Sequence, residues 1–274
     1  MGGRRSRLLA SAQLHPRAHV APHRQSDDGG RGGLAGRAFS RRAGGLGLRL
    51  PARARGGTRH GRAHDAPARG ARGGRRPSLA GPARALGDEI LARWSSWDGV
   101  LDLPERVCHG DLKISNLRFD STGRRAVCML DLDTLSRLPY AVEMGDAWRS
   151  WCNLAGEDAP EATALDLGVF ESSARAWLAT APSLEPIELE SLVSGIERIC
   201  LELAARFCGD AIRNAYFRED RSRFPSPGAH NLHRATGQLR LAVSARARRS
   251  ACENIVRSAW TTRTVAGLST PAGS

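Results

Sequence analysis

The composition of the chain changes abruptly near residue 85, and this change limits which part of it can fold. Residues 1–85 contain nineteen arginines, seventeen glycines and six prolines, and Phe39 is their only aromatic residue of the Phe, Trp and Tyr class. They show neither the two-residue apolar period of a strand nor the 3.6-residue period of a helix. Such a segment cannot recover its ordering entropy through apolar burial, so we expect residues 1–85 to be disordered.

The charge divides at the same boundary. The whole chain has a formal net charge of +13, but residues 1–85 carry +16 and residues 86–274 carry −3. Three interpretations of the basic segment stay open: a tail that attracts nucleic acid, a plain flexible extension, or a GC-rich coding strand translated in the wrong frame. We favour the third, because Arg, Gly, Ala and Pro are the residues that GC-rich codons specify. Nucleic acid is therefore not the partner that we expect.

Residues 86–274 have the composition and periodicity of a globular unit. Apolar residues recur at helical spacing over residues 86–94, 162–180, 189–207 and 231–257, and a further helix starts in "GDAWRSWCNL". "RVCHGD" predicts a short strand that runs into a loop, while "NLRFD" and "AVCMLD" predict two strands joined near Gly123. The sequence thus predicts an α+β fold in which helices surround one small hairpin. We expect Trp148, Trp151 and Trp177 in the core and the arginines of "SARARRSA" on a solvated helix face.

Cysteine spacing and hydropathy exclude several classes of protein. The six cysteines form no CxxC pair and no Cys/His ligand spacing, so we predict no zinc site and expect scattered reduced thiols. No apolar run approaches the roughly 20 residues that a membrane-spanning helix needs. We therefore expect a cytoplasmic protein without a membrane partner.

The predicted hairpin brings three oxygen-bearing side chains together. If its turn is centred near Gly123, residue 116 faces residue 130, so Asn116 and Asp131 lie close to each other on strands ~5 Å apart. Asp111 lies five residues upstream, on the loop that leads into the first strand. Amide and carboxylate oxygens suit Mg²⁺, which usually completes its shell with substrate phosphates. This arrangement predicts phosphoryl transfer.

The order His-Gly-Asp at 109–111, Asn116 and "LDLD" at 130–133 resembles the aminoglycoside phosphotransferase and choline kinase family, which is related to the protein kinases. The resemblance covers residues 86–274 and implies the mainly helical C-lobe of a protein-kinase-like fold. It also implies ATP as phosphoryl donor, Mg²⁺ as cofactor and a small-molecule hydroxyl as acceptor. By the same resemblance Asp111 would accept the proton of that hydroxyl, and Asn116 and Asp131 would hold the metal.

The resemblance assigns further residues around the loop. Lys113, the only lysine of the chain, would be catalytic and would bind the γ-phosphate, because a compact ammonium can neutralise the charge of the moving phosphoryl group. His109 would anchor the loop by hydrogen bonding, and Asp146 in "MGDAWRSW" would brace it by accepting backbone hydrogen bonds.

Three nearby residues have open assignments. Asp133 is either a second metal ligand or a carboxylate that caps the next turn. Arg149 and Asn153 could face the substrate, although we expect a solvated helix face.

The resemblance also shows what the chain lacks. A kinase of this family needs an N-lobe with a strand lysine for the α- and β-phosphates, but the single lysine lies in the loop and residues 1–85 contain no glutamate to pair with one. We therefore expect the N-lobe to be absent or replaced over residues 1–85. "LELAARFCGDAIRNAYF" and "HNLHRATGQLRLA" resemble the N-acetylhexosamine 1-kinase branch, so an aminosugar is the first expected acceptor. The alternative is a non-catalytic kinase remnant or a nucleic-acid-binding protein with an Arg-rich tail.

Overall fold

The computed structural model describes residues 79–213, 220 and 222–268, the last five of them by their backbone alone. Residues 1–78 lie outside the described residues, so the expectation that they are disordered stays a prediction. The first helix of the described residues begins at Ala80, six residues before the predicted boundary, and buries Ala83 completely. Residues 80–85 thus belong to the folded unit.

The described part of the chain is a helical unit with two small two-stranded sheets. In chain order the elements are α1 (Ala80–Ser96), β1 (Arg106–Cys108), β2 (Leu117–Phe119), β3 (Ala126–Met129), β4 (Ser136–Leu138), α2 (Tyr140–Trp151), α3 (Leu167–Thr180), α4 (Pro186–Arg213) and α5 (Pro227–Leu268). Short 3₁₀ turns lie at Ile114–Asn116, Leu132–Thr134 and Pro160–Ala162. The predicted α+β class is confirmed.

The core lies between α4 and the helices on either side of it. The predicted stripe of α4 is buried at Leu192, Ile196 and Phe207, which pack in one cluster with residues of α2, α3 and α5. Proline at the first position of α4 and of α5 suits a helix start, since its missing N–H would have no partner within the helix. None of the helices that the structure describes is long and apolar enough to cross a bilayer.

Arginines of α5 hold the chain that follows α1. Arg246 and Arg249 both bind the carboxylate of Asp98, and Arg246 also lies 3.4 Å from Glu197 on α4. Arg246 is exposed, as the predicted solvated face requires, and Arg249 is half-buried. Each guanidinium in addition has a carboxylate partner on a neighbouring segment.

The β2–β3 hairpin has the predicted register. Leu117 pairs with Met129, and the N–H of Leu130 donates to the carbonyl of Asn116 at 2.8 Å. The second sheet, in which β1 pairs with β4 across Cys108 and Ser136, was not predicted. This pairing brings the end of β1 close to the beginning of α2. The loop between β1 and β2 therefore lies beside the first turn of α2.

Candidate functional site

The loop that follows β1 turns sharply at Gly110. Its φ is +80°, and a Cβ at this position would lie 2.5 Å from the carbonyl oxygen of Thr134. Any other residue would combine a left-handed backbone with a steric overlap, so glycine is required here. The turn places Asp111 directly after the end of β1.

His109 and Thr134 join this loop to the segment after β3. The Nε2 atom of His109 lies 2.7 Å from the carbonyl of Leu130, and because a carbonyl only accepts, Nε2 carries the proton. The Thr134 hydroxyl lies 2.5 Å from the carbonyl oxygen of His109 and can donate to it. His109 is 3% exposed. These are the contacts of a residue that anchors the loop.

Glu143, on the first turn of α2, braces the loop by accepting hydrogen bonds from its backbone. Its two carboxylate oxygens accept hydrogen bonds from the backbone N–H groups of His109 and Gly110, each at 2.9 Å. Burial raises the pKa of the Glu143 carboxyl, while the two N–H groups act in the opposite direction. The predicted bracing residue, Asp146, lies one turn further on and bonds to Arg149 instead.

The loop contacts Glu143 and not Asp146 for a geometric reason. The β1–β4 pairing brings the start of α2 under residues 109 and 110, so a side chain of its first turn is the one within reach. Glu143 was also a candidate for the bracing role in the sequence, because it is an acidic residue one turn before Asp146 on the same helix. Without the second sheet, however, nothing distinguished the two positions.

Asp111, Lys113 and Asn116 form a contiguous polar cluster. The ammonium of Lys113 lies 2.5 Å from Asp111 Oδ2, and Asn116 Nδ2 lies 3.1 Å from the same oxygen. Nδ2 also donates to the backbone carbonyl of Asp111 at 2.8 Å. Both contacts require the nitrogen side of the Asn116 amide, which leaves the carbonyl oxygen Oδ1 as the atom that can face a cation.

Asp131 lies on the opposite strand, one residue beyond the pair of Asn116 with Leu130. Its backbone has φ 64° and ψ 46°, the left-handed conformation, and it begins the 3₁₀ turn Leu132–Thr134. Asp133 lies in the first turn of that 3₁₀ segment with an exposed side chain. The structure thus places Asn116 and Asp131 at the same end of the hairpin, as the register predicted.

The donor set fits magnesium better than a metal with an all-protein cage. No group of three or more His, Cys, Asp or Glu side chains within the described residues could hold a metal ion. An amide oxygen and a carboxylate are hard ligands, and Mg²⁺ is commonly held by one or two carboxylates together with water and substrate phosphates. Asn116 and Asp131 would supply the protein side of such a site.

Arg149, on α2, and Asn153, two residues after the end of that helix, are buried and not solvated. They are 5% and 6% exposed, so the prediction of a solvated helix face is wrong. Arg149 bonds to Asp146 and, through Nη1, to Glu157 at 2.9 Å. Burial alone would lower the pKa of Arg149, but the two carboxylates outweigh it and raise the pKa.

A family model described as "Phosphotransferase enzyme family" (APH) matches residues 7–181 of the chain. The matched range begins in the arginine- and glycine-rich segment, includes Asp111, Asn116 and Asp131, and ends directly after α3. Helices α4 and α5, which carry the resemblance to the hexosamine kinases, lie outside it.

Proposed function

The chain belongs to the phosphotransferase enzyme family, and we propose that it transfers the γ-phosphoryl group of ATP to a hydroxyl group of a small molecule. The observation that carries the proposal is the contact of one carboxylate oxygen, Asp111 Oδ2, with both the Lys113 ammonium and the Asn116 amide. The loop that presents this carboxylate is fixed on two sides, by Glu143 and by Thr134. A base held in one orientation is what proton abstraction from an acceptor requires.

In this proposal Asp111 accepts the acceptor's hydroxyl proton as the new O–P bond forms, while the bond between the γ-phosphorus and the β–γ bridging oxygen breaks and ADP leaves. Lys113 then moves from Asp111 toward the transferred group, where its charge opposes the negative charge of the phosphoryl oxygens. Asn116 keeps the carboxylate oriented through the two hydrogen bonds of Nδ2. Lys113 is 39% exposed, so its ammonium can reach a phosphate on the open side of the loop.

Asn116 Oδ1 and the Asp131 carboxylate would hold Mg²⁺, which when bound neutralises charge on the β- and γ-phosphates. Such a cation would oppose the negative charge that the carboxylates and the substrate phosphates bring to this loop. Beside Asp131, the side chains of Met129 and Leu130 are 44% and 41% exposed. They offer the kind of apolar surface that a nucleotide base covers.

The acceptor that we propose first is an aminosugar. Its support is the likeness of residues 201–217 and 230–242 to the N-acetylhexosamine 1-kinase branch. Aminoglycosides, choline and homoserine-like alcohols are the alternatives, because acceptor pockets vary within one fold.

Two measurements test the proposal. Mg-ATP should raise the melting temperature of the full chain, and ADP should form when a panel of sugars, aminosugars and amino alcohols is added. Asp111→Asn should keep the melting shift but lose about 10²-fold or more in turnover, the usual contribution of a general base. Glu105→Gln, a change to an exposed side chain before β1, is the matched control and should alter neither readout. No shift and no turnover in the wild-type chain would refute the proposal.

A second candidate is a non-catalytic member of the family. It is favoured by the lysine count, since Lys113 is the only lysine and no residue can serve as the strand lysine of an N-lobe. This candidate predicts no response to Mg-ATP. If the Arg-rich segment instead binds nucleic acid, binding of the full chain to duplex DNA should weaken steeply as salt rises.

A further inference from the structure

Asp146 lies between two residues of α2 that contact the Asp111 loop. Glu143, three residues earlier, accepts from Gly110 N–H, and Ser150, four residues later, accepts from Ile114 N–H at 3.2 Å. Residues three and four apart share a helix face, so Asp146 lies on the side of α2 that faces the loop. Glu143 already braces the loop, and this leaves Asp146 without the role that its position suggests.

The two carboxylate oxygens of Asp146 have different surroundings. Oδ1 lies 3.0 Å from Nε and 2.9 Å from Nη2 of Arg149, which is itself held by Glu157. Oδ2 is buried and has no hydrogen-bond partner. The ion pair with Arg149 therefore fixes the rotamer of Asp146 and leaves Oδ2 to meet a donor from elsewhere.

A second buried acceptor lies two residues after the end of α2. Asn153, seven residues after Asp146, is 6% exposed, and its Oδ1 has no partner while its Nδ2 donates to the carbonyl of Gly156. Buried acceptor oxygens without donors lose their hydration uncompensated, so native proteins keep few of them. The one of these that lies on the loop-facing side of α2, Asp146 Oδ2, indicates a site for a ligand that brings a hydrogen-bond donor.

We infer that Asp146 Oδ2 accepts a hydrogen bond from a second hydroxyl or ammonium group of the phosphoryl acceptor, next to the hydroxyl that is phosphorylated. The inference rests on the proposed function and narrows its substrate class to polyols, aminosugars and amino alcohols. Arg149 and Glu157 are positioning residues in this arrangement. Glu157 is 47% exposed and Asp146 18%, so the Glu157 end of the cluster is the end open to solvent.

The decisive variant is Asp146→Asn. The asparagine can still offer its oxygen to Arg149, but the position of Oδ2 is then occupied by an NH₂ group, which donates where the carboxylate accepted. We expect the KM for the best acceptor among D-glucosamine, N-acetyl-D-glucosamine and ethanolamine to rise about tenfold or more, since a hydrogen bond to a charged group is lost. The KM for Mg-ATP should change by less than about twofold.

Glu171→Gln is the matched control, because it also removes a carboxylate from an arginine ion pair but lies on α3, outside the cluster of Asp146 and Arg149. It should leave the acceptor KM within about threefold of wild type, even if the melting temperature falls. Equal effects of both variants on the acceptor KM, or no effect of Asp146→Asn on it, would assign Asp146 a purely structural role and overturn the inference. Cyclohexanol, with a single hydroxyl, should be a poor acceptor for both proteins.

A binding measurement separates this inference from the proposed function. Without nucleotide, saturation-transfer NMR should detect D-glucosamine or ethanolamine bound to the wild type and a weaker signal with Asp146→Asn. Wild-type turnover with an unchanged signal and KM in the variant would refute the inference alone. Neither turnover nor acceptor binding by the wild type would refute both.

Discussion

Asp131 has a left-handed backbone that costs an ordinary L-residue about 1–2 kcal/mol. It is the only non-glycine residue with positive φ in the described part of the chain. Such a conformation persists where the surrounding structure requires it, and it occurs most often at functional sites. Here the turn redirects the chain after β3 and keeps the Asp131 side chain at the hairpin end that carries Asn116.

Two substitutions can separate the backbone strain at Asp131 from the proposed metal-binding role of its carboxylate. Asparagine adopts the left-handed conformation more readily than most residues, so Asp131→Asn should fold with unchanged or higher stability. Asp131→Ala should be less stable than Asp131→Asn by about 1 kcal/mol in urea unfolding. Both variants should lose the Mg-ATP melting shift, because each lacks the carboxylate. A full shift in Asp131→Asn would show that Asp131 is not a metal ligand.

At this scale the sequence predicted the central loop well and its supports less well. Asp111, Lys113 and Asn116 lie within six residues, so local spacing was enough to bring them together. Glu143 lies more than thirty residues from the backbone that it braces, and only the tertiary fold makes that contact.

At the scale of elements, the crossing of α2 and α4 depends on two glycines. A Cβ at Gly195 would overlap the carbonyl oxygen of Ala141, and a Cβ at Gly145 would lie 2.5 Å from the carbonyl oxygen of Gly195. The two helix backbones therefore approach more closely than any larger residue permits. α2 carries Glu143, Asp146 and Ser150. The close approach of the two helices therefore fixes the position of the helix that supports the Asp111 loop.

Gly195→Ala should destabilise the protein by about 1–3 kcal/mol, the usual cost of overpacking. This loss should appear although alanine by itself favours a helix over glycine by about 1 kcal/mol. Gly237→Ala on α5 is the matched control, because a Cβ there meets its nearest atom at 3.4 Å. It should be neutral or stabilising. Equal urea midpoints for the two variants would contradict the close-packing account.

Elements differed in how far the sequence revealed them. The long apolar stripe of α4 and the alternation around Gly123 predicted a helix and a hairpin, and the structure has both. The β1–β4 sheet joins two three-residue strands separated by 27 residues, which is too short for any periodicity to show. Because the β1–β4 sheet was not predicted, the bracing role was assigned to Asp146 and not to Glu143.

For the whole molecule, Asp98 connects the segment after α1 to α5 and gives stability a dependence on acid pH. Hydrogen bonds from Arg246 and Arg249 lower the pKa of Asp98 from 3.8 to about 2. A lowered carboxyl pKa in the folded state stabilises it above pH 3.8, and that contribution is lost as pH falls toward 2. Burial raises the pKa of Glu197 above 4.5. Glu197 therefore lowers the free energy of unfolding as pH rises from 4.5 toward its raised pKa, the opposite direction to Asp98 and at higher pH.

Asp98→Asn should therefore lower the free energy of unfolding at pH 6 by about 0.2–1 kcal/mol, the range for solvent-exposed pairs. The gap to wild type should narrow as pH falls from 3.8 toward 2, measured by urea titration at each pH. Asp88→Asn, at an exposed position of α1 without an ion pair among the described residues, is the control and should show no such trend. A gap that stays constant with pH would contradict the assignment.

The thiols of the folded chain differ in how well a reagent can reach them. Five of the six cysteines are buried, and burial raises the pKa of Cys108, Cys200 and Cys252 to about 12. Cys128 on β3 is the exposed one, three residues before Asp131. Since thiolates are the species that alkylate, a maleimide dye should attach at one position without any mutagenesis. The protein thus carries a ready-made attachment point for an optical reporter beside the proposed nucleotide site.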